Sequence, residues 1–238
     1  MTAGNATGQL PLPISLDQGA TFENFYAVSN QAGVEALAVL ARRGGERALF
    51  LWGGDGRGKS HLLQAACRLA DVNNRRAIYL PMSQAVLLDP QVVENLDSYA
   101  LVCVDDVQRV AGIEPWQEAL LTLFDALSAR GGSFVATART APTAIKRLLP
   151  DLASRLAWGP VFQLAPLTDE EKIIALKQRA LRRGFELPND AAQFLLKRQQ
   201  RDMHTLCSTL DALDTASRRS AQTYPHPEST RCSWQNRP

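Results

Sequence analysis

The sequence predicts an α/β protein in which a mostly parallel, doubly wound sheet is followed by a small all-helical domain. Between residues 47 and 164, short apolar stretches of strand length alternate with longer stretches of helical periodicity. The stretch Leu101–Val104 is apolar at every position, which is typical of a central parallel strand covered on both faces. We therefore expect four segments: a flexible tail over 1–20, an α/β domain over 21–165, a helical lid over 166–220 and an irregular tail over 221–238.

The individual elements of the α/β domain follow from local patterns. A helix with Val34, Leu37 and Ala41 on one face has Asn30 as its predicted N-cap and ends at Gly44. The predicted strands are Arg47–Trp52, Arg76–Leu80, Leu101–Val104, Ser133–Ala138 and Val161–Leu164, and the predicted helices between them are His61–Ala70, Glu114–Arg130 and Leu152–Leu156.

The lid is predicted from helical signals alone. Thr168 and Glu171 form a capping box that opens a helix ending at Gly184. Pro188 begins a second helix, and a third follows from about Asp202. Beyond the lid the sequence is polar and without periodicity, so we expect disorder there.

Composition narrows the class of protein. Of the 238 residues, 45% are hydrophobic and 21% charged, as in a soluble globular protein. A net charge of +2 does not indicate a chain that coats nucleic acid. The four cysteines have no metal or disulfide spacing, and Cys67 and Cys103 are expected in the core. No apolar run approaches the roughly 18 residues of a membrane span, so we expect a cytoplasmic protein without membrane contact.

A phosphate-binding loop is predicted between the first strand and the helix that follows it. The segment Gly53–Ser60 has glycine, four residues, then Gly-Lys-Ser. Glycines allow backbone N–H groups to turn toward phosphate oxygens, and the helix N-terminus adds a positive dipole end. Lys59 is expected to reach the β- and γ-phosphates and the Ser60 hydroxyl to hold Mg²⁺; the alternative is a chance glycine turn. The predicted nucleotide-binding residues here are Gly53, Gly54, Asp55, Gly56, Arg57, Gly58, Lys59, Ser60 and His61.

Two carboxylates follow the central strand. Asp105 and Asp106 come at its carboxyl end, where ligands bind in open α/β sheets. Asp105 is a candidate Mg²⁺ ligand through water, and Asp106 a candidate for polarising an attacking water. The alternative is a solvated acidic turn.

Two segments ahead of the first helix carry exposed or aromatic side chains. Alternate prolines keep residues 9–14 extended, so Leu10, Leu12 and Ile14 project from an accessible segment and pack either on this chain or on another protein. Phe22 and Phe25 belong to an aromatic cluster that either flanks a purine base or anchors the core.

Longer stretches resemble a known family. The loop, the paired aspartates and the helical lid together resemble the AAA+ ATPases. The segments Leu149–Gly159, Phe185–Pro188 and Phe194–Arg198 are similar to the Hda family, homologues of the bacterial replication initiator DnaA. Gln9–Ile14 resembles the sliding-clamp-binding motif of that family, and the likeness extends over roughly residues 9–219.

The resemblance implies a negative regulator of replication initiation. Proteins of this family bind ADP, dock on the DNA-loaded sliding clamp of the replicative polymerase and promote hydrolysis of the ATP on DnaA. It implies that Arg155 is an arginine finger acting in trans, where the alternative is an ordinary surface salt bridge. No helix-turn-helix domain follows the lid, so we expect DNA contact to be indirect or weak. A homo-oligomer is a further possibility. By the same likeness the clamp-binding residues are Gln9, Leu10, Leu12 and Ile14.

The chain departs from the family at two nucleotide-sensing positions. Within Thr137–Pro142, Arg139 falls where the family carries an acidic residue, and it cannot accept hydrogen bonds. In the lid, His204 stands where the family has a nucleotide-binding arginine, and neutral imidazole holds a γ-phosphate less firmly. Both changes favour a chain that holds ADP over one that turns over ATP. The alternatives are an autonomous ATPase of the helicase-loader type that uses Asp106, or a nucleotide-gated clamp-binding module without a role at DnaA.

Overall fold

The computed structural model describes residues 16–17, 19–198, 203, 205–210 and 212. The predicted clamp-binding residues and His204 lie outside this part of the chain. The chain divides between Ala175 and Leu176 into two compact units, which are described separately. In the described residues, no helix is both long and apolar enough to cross a membrane.

A five-stranded parallel sheet forms the centre of the first unit. The strands are β1 Ala48–Trp52, β2 Ala77–Pro81, β3 Leu101–Asp105, β4 Ser133–Ala138 and β5 Val161–Gln163. Their order in the sheet is β2-β3-β4-β1-β5, and each neighbouring pair is parallel. The crossovers between parallel strands are made by helices and irregular segments, as the alternating pattern predicts. The predicted α/β fold is confirmed.

Helices cover both faces of the sheet. The helices are α1 Gln31–Arg43, α2 Lys59–Val72, α3 Met82–Ala85, α4 Glu114–Ala129, α5 Pro150–Leu156, α6 Asp169–Arg182 and α7 Asn189–Arg198. The apolar side chains of α1 and α2 form one core with one face of the strands, and those of α4 and α5 form the second core with the other face. Cys67 and Cys103 are free thiols buried in the first of these cores, as expected.

Asn30 is the N-cap residue of α1, as predicted, but its side chain has a different partner. The Asn30 side chain caps no helix N–H; its Oδ1 accepts from the Ala165 N–H at 2.7 Å and its Nδ2 donates to the Ala165 carbonyl at 3.3 Å. The reason is that Val28–Asn30 form a 3₁₀ turn that leads directly into α1. Phe22 and Phe25 pack against the core of α1 and α2, so the aromatic cluster anchors the core.

The capping box at the start of α6 is confirmed. The Glu171 N–H donates to Thr168 Oγ1 at 3.2 Å, and Glu171 Oε2 accepts from the Thr168 N–H at 2.8 Å. The hydrogen bond from the Thr168 N–H, with a smaller contribution from the Ser29 hydroxyl, lowers the pKa of Glu171 because both favour the ionised carboxylate. In the second unit, α7 buries Ala192, Leu195 and Leu196, and residues 205–210 are also helical.

Candidate functional site

The phosphate loop Gly53–Ser60 lies at the carboxyl end of β1. The Gly53 N–H donates to the Ala138 carbonyl at 3.1 Å, which ties the start of the loop to the end of β4. Gly56 and Gly58 have φ of 70° and 80°, in the left-handed region that favours glycine. Helix α2 begins at Lys59, directly after the loop. Strand, glycine loop and helix therefore occur in the predicted order, with the positive end of the helix dipole at the loop.

Gly58 is also in close contact with an aromatic ring. A Cβ at this position would lie 2.5 Å from Cε2 of Phe25. The Phe25 ring in turn lies 5.8 Å from the ring of His61, centroid to centroid. The aromatic cluster ahead of α1 therefore supports the loop from one side.

We expect Gly58→Ala to lower the free energy of unfolding by about 2 kcal/mol. About 1 kcal/mol comes from the left-handed φ, and about as much from the contact with Phe25. Gly131→Ala is the matched control, because Gly131 has φ of 76° with no neighbouring atom within 4 Å of an added Cβ. Urea unfolding of both variants measures the difference. Equal losses would mean that the Phe25 ring moves away freely.

Lys59 is held inside the loop. Its Nζ donates to the carbonyl oxygens of Gly53 and Gly54, each at 2.9 Å, and only 6% of the residue is exposed. Burial lowers the pKa of Lys59, and the nearby carboxylates of Asp106 and Asp55 oppose that change. The ammonium group is thus surrounded by acceptors of the loop and by acidic side chains, at the position predicted to reach phosphates.

Asp105 is fixed by the two strands on either side of β3. Its Oδ2 accepts from the Tyr79 hydroxyl of β2 at 2.7 Å, and its Oδ1 accepts from the Thr137 hydroxyl of β4. Burial and the adjacent carboxylate raise the pKa of Tyr79 well above its usual range, so the phenol remains a donor. With 5% exposure, Asp105 is an oriented, buried acid, and each oxygen retains acceptor capacity for water.

The carboxylate of Asp106 is held by other residues than that of Asp105. Its backbone is left-handed, with φ of 57°, and its N–H donates to Thr137 Oγ1 at 3.0 Å. Gln108 Nε2 donates to Asp106 Oδ1 at 3.0 Å, and Arg109 Nε lies 3.8 Å from Asp106 Oδ2. Gln108 therefore orients one oxygen of Asp106, while each oxygen, like those of Asp105, retains acceptor capacity for water.

Arg139 forms an ion pair with the loop. Its Nε lies 3.0 Å from Oδ1 of Asp55, and the two side chains are 57% and 72% exposed. The charge of Arg139 also contributes to lowering the pKa of Lys59. An exposed pair of this kind contributes about 0–1 kcal/mol, so it opens readily.

The remaining predicted loop residues contact the surrounding backbone. Arg57 Nη1 donates to the Leu164 carbonyl at 2.9 Å, and His61 Nε2 lies 2.8 Å from the Thr21 carbonyl oxygen. Ser60 is exposed in the first turn of α2. In the part of the chain that the structure describes, no three His, Cys, Asp or Glu side chains converge into a metal site made of protein ligands alone.

Three neighbours of the acidic pair were not predicted from the sequence. Tyr79, Thr137 and Gln108 hold Asp105 and Asp106, as described above. The available signal was a hydroxyl within an otherwise apolar strand, at Tyr79 and at Thr137. A hydroxyl inside a buried strand needs a hydrogen-bond partner, and the acid on the neighbouring strand supplies it.

Arg155 lies at the end of α5 and is partly exposed. Its Nε donates to Oδ1 of Asp125 at 2.8 Å, and its guanidinium carbon lies 5.1 Å from the centroid of the Trp158 ring. The hydrogen bond to Asp125 raises the pKa of Arg155, so the group stays charged. Within the described residues, the guanidinium contacts Asp125 of α4 and Trp158 after α5, and it forms no hydrogen bond or ion pair with the phosphate loop.

The Arg155 region and the phosphate loop lie at opposite ends of β1. Gly159, next to Trp158, packs so closely against the Ala48 carbonyl that an added Cβ has no room. The loop begins at Gly53, at the other end of the strand. A five-residue strand is about 16 Å long, so the length of β1 separates the two regions.

Two family models match this chain. Residues 16–163 match the bacterial DnaA ATPase domain, and residues 169–223 match the lid domain of Hda. An uncharacterised protein of Haemophilus influenzae is 43% identical over 210 residues, which is 88% of this chain and 91% of that protein.

Solved structures share the fold. Domain III of the Thermotoga maritima replication initiation protein DnaA has a TM-score of 0.75 at 24% identity, covering 88% of this chain and 93% of its own. AMPPCP-bound DnaA of Aquifex aeolicus has a TM-score of 0.70 at 22% identity, covering 88% and 69%. A Thermotoga maritima RuvB mutant has a TM-score of 0.57 at 17% identity, covering 85% and 68%.

Proposed function

The chain belongs to the family of the bacterial DnaA ATPase domain and carries an Hda-type lid, and from this premise we propose that it negatively regulates replication initiation by acting on DnaA. In this proposal the chain holds ADP, docks on the DNA-loaded sliding clamp and promotes hydrolysis of the ATP bound to DnaA. Arg155 supplies the charge that stabilises the transition state on the other protein.

Nucleotide binding is supported by the loop geometry. The left-handed backbone at Gly56 and Gly58 and the buried ammonium of Lys59 are suited to a diphosphate. The DnaA structure of Aquifex aeolicus is itself bound to the ATP analogue AMPPCP. The Ser60 hydroxyl and the Asp105 carboxylate are oxygen donors of the kind that Mg²⁺ takes, and the ion would neutralise phosphate charge there.

The proposal that the chain itself hydrolyses ATP only weakly is supported by Arg139. This residue places a cation, paired with Asp55, where the family has an acidic sensor. The substitution favours ADP as the resident nucleotide, with ATP as the alternative.

Action in trans is supported by one observation above all: Arg155 and the phosphate loop lie at opposite ends of β1. A strand of about 16 Å is longer than the reach of an arginine side chain. The guanidinium is therefore available to a nucleotide held by another protein. Clamp docking through residues 9–14 rests on the sequence resemblance.

The test is hydrolysis of DnaA-bound ATP in the presence of clamp-loaded DNA and the ADP-loaded chain. We expect the chain to accelerate hydrolysis. We expect the double variant Leu10→Ala, Leu12→Ala to accelerate it no more with the clamp than the parent does without the clamp. No acceleration by the parent would refute the proposal. Turnover of ATP by the purified chain, abolished by Asp106→Asn, would indicate a helicase-loader type of ATPase, and clamp binding without an effect on DnaA would indicate a clamp-binding module.

A further inference from the structure

Arg155 contacts an acidic side chain on one side and an aromatic ring on the other. We define the finger cluster as Arg155, Asp125, Trp158, Phe124 and Arg47. Asp125 accepts a hydrogen bond from Arg155, while Trp158 contacts the guanidinium through its ring. Phe124 lies under Trp158, and the guanidinium carbon of Arg47 is 5.8 Å from the centroid of that ring.

The Trp158 ring is fixed although more than half of the residue is exposed. It stacks on Phe124 at 6.2 Å with an interplanar angle of 18°, and Phe124 is fully buried against Phe134 at 5.3 Å. The Trp158 N–H donates to the Arg155 carbonyl at 3.1 Å, and the next residue, Gly159, packs against Ala48. A 55% exposed aromatic on such a support is a rigid platform.

The two contacts of Arg155 have opposite consequences for phosphate binding. The Asp125 carboxylate neutralises the guanidinium and occupies its Nε–H. An aromatic face attracts the cation without using any of its five N–H donors. A guanidinium on Trp158 alone would keep both its charge and its donor fork for a phosphate.

We propose that Trp158 is the positioning residue of Arg155 and that Asp125 is its restraint. In the free chain Asp125 holds the guanidinium against α4; on docking, the guanidinium leaves Asp125 while the Trp158 ring keeps it aimed at the partner's nucleotide. This inference rests on the proposed function, since it describes how the finger acts on DnaA-bound ATP.

The experiment compares Trp158→Leu, Trp158→Phe and Asp125→Asn with the parent and with Arg155→Ala. Each is titrated against ATP-loaded DnaA on clamp-loaded DNA, giving the maximal rate and the concentration for half-maximal stimulation. We expect Trp158→Leu to lower the maximal rate about 10-fold, and Trp158→Phe, which keeps an aromatic face, to lose less. Asp125→Asn is expected to raise the maximal rate or to lower the half-maximal concentration.

The outcomes separate a positioning role from packing. A Trp158→Leu variant with the parent's maximal rate, or one that changes only the half-maximal concentration, would overturn the assignment of Trp158. In the Arg155→Ala background, Trp158→Leu should have no further effect on the rate; a further loss would also overturn it. A rate for Asp125→Asn as low as that of Arg155→Ala would overturn the restraint.

Folding and the parent activity are controlled separately. Thermal unfolding identifies a Trp158→Leu variant that does not fold, in which case Trp158→Phe and the exposed Asp125→Asn decide: unchanged kinetics in both overturn the inference. Failure of the parent to stimulate DnaA refutes the proposed function itself. Stimulation by the parent and not by Arg155→Ala, together with full activity of the Trp158 variants, refutes this inference alone.

Discussion

Arg155→Ala is expected to lower the maximal rate of stimulated hydrolysis of DnaA-bound ATP by at least about 10³-fold, the lower end of what an arginine finger contributes to phosphoryl transfer. The guanidinium supplies charge and paired N–H donors to the oxygens of the transferred phosphoryl group, and alanine supplies neither. Arg155→Lys keeps the charge without the planar fork, so we expect an intermediate rate.

Arg130→Ala is the matched control for this experiment. Arg130 is another exposed arginine that pairs with an aspartate, with its Nε 2.8 Å from Oδ2 of Asp97. Loss of such a surface pair costs about 0–1 kcal/mol of stability and should leave the stimulated rate unchanged. If Arg155→Ala stimulates as well as Arg130→Ala, then Arg155 is an ordinary surface salt bridge, which is the alternative interpretation.

Lys59→Ala is expected to weaken ADP binding about 100-fold or more. Hydrogen bonds to a charged group contribute about 1.5–3 kcal/mol each, and the Lys59 ammonium can donate more than one of them to the oxygens of the ADP β-phosphate. Titration calorimetry with ADP measures the change directly. At an ADP concentration about 100 times the parent's Kd, the parent gains about 2.7 kcal/mol of stability, and the variant should gain little.

Lys146→Ala serves as the control, because Lys146 is an exposed lysine of the same unit and lies outside the loop. It should keep the parent's ADP affinity. Equal ADP affinity of Lys59→Ala and the parent would contradict the assignment.

The stability of the nucleotide-free variant is a separate expectation. Burial lowers the pKa of Lys59, so its charged form disfavours the folded state at pH values below the folded pKa. Alanine removes this cost together with the hydrogen bonds of Nζ to the loop carbonyls. We therefore expect nucleotide-free Lys59→Ala to be about as stable as the parent.

The sequence was sufficient for the parts of the fold that depend on neighbouring residues. The phosphate loop is a contiguous motif, and the stretch Leu101–Val104 is apolar on both faces because helices cover both sides of the sheet. The capping box of α6 involves residues three positions apart. Asn30 is the N-cap as predicted, but the partner of its side chain, Ala165, lies 135 positions away along the chain and could not be predicted locally.

The rest of the site depends on the order of the strands. Tyr79 and Thr137 reach Asp105 only because β2 and β4 flank β3, and no local pattern specifies that order. The ion pair between Arg139 and Asp55 likewise needs the end of β4 beside the loop. Gly159 lies against Ala48 because β5 pairs with β1, and this contact places the Arg155 region at the end of β1 that is away from the loop.

The two ends of β1 lie beside different surfaces of the molecule. One end of this strand carries the phosphate loop, and the other lies beside the arginine that we propose acts on a neighbour's nucleotide. Two such domains that met through these regions would join unlike surfaces, so the contact would be heterologous and would leave one surface of each kind unused. A head-to-tail contact of this kind closes into a ring if its rotation permits and otherwise continues as an open series. An open series would end at a member that lacks one of the two surfaces.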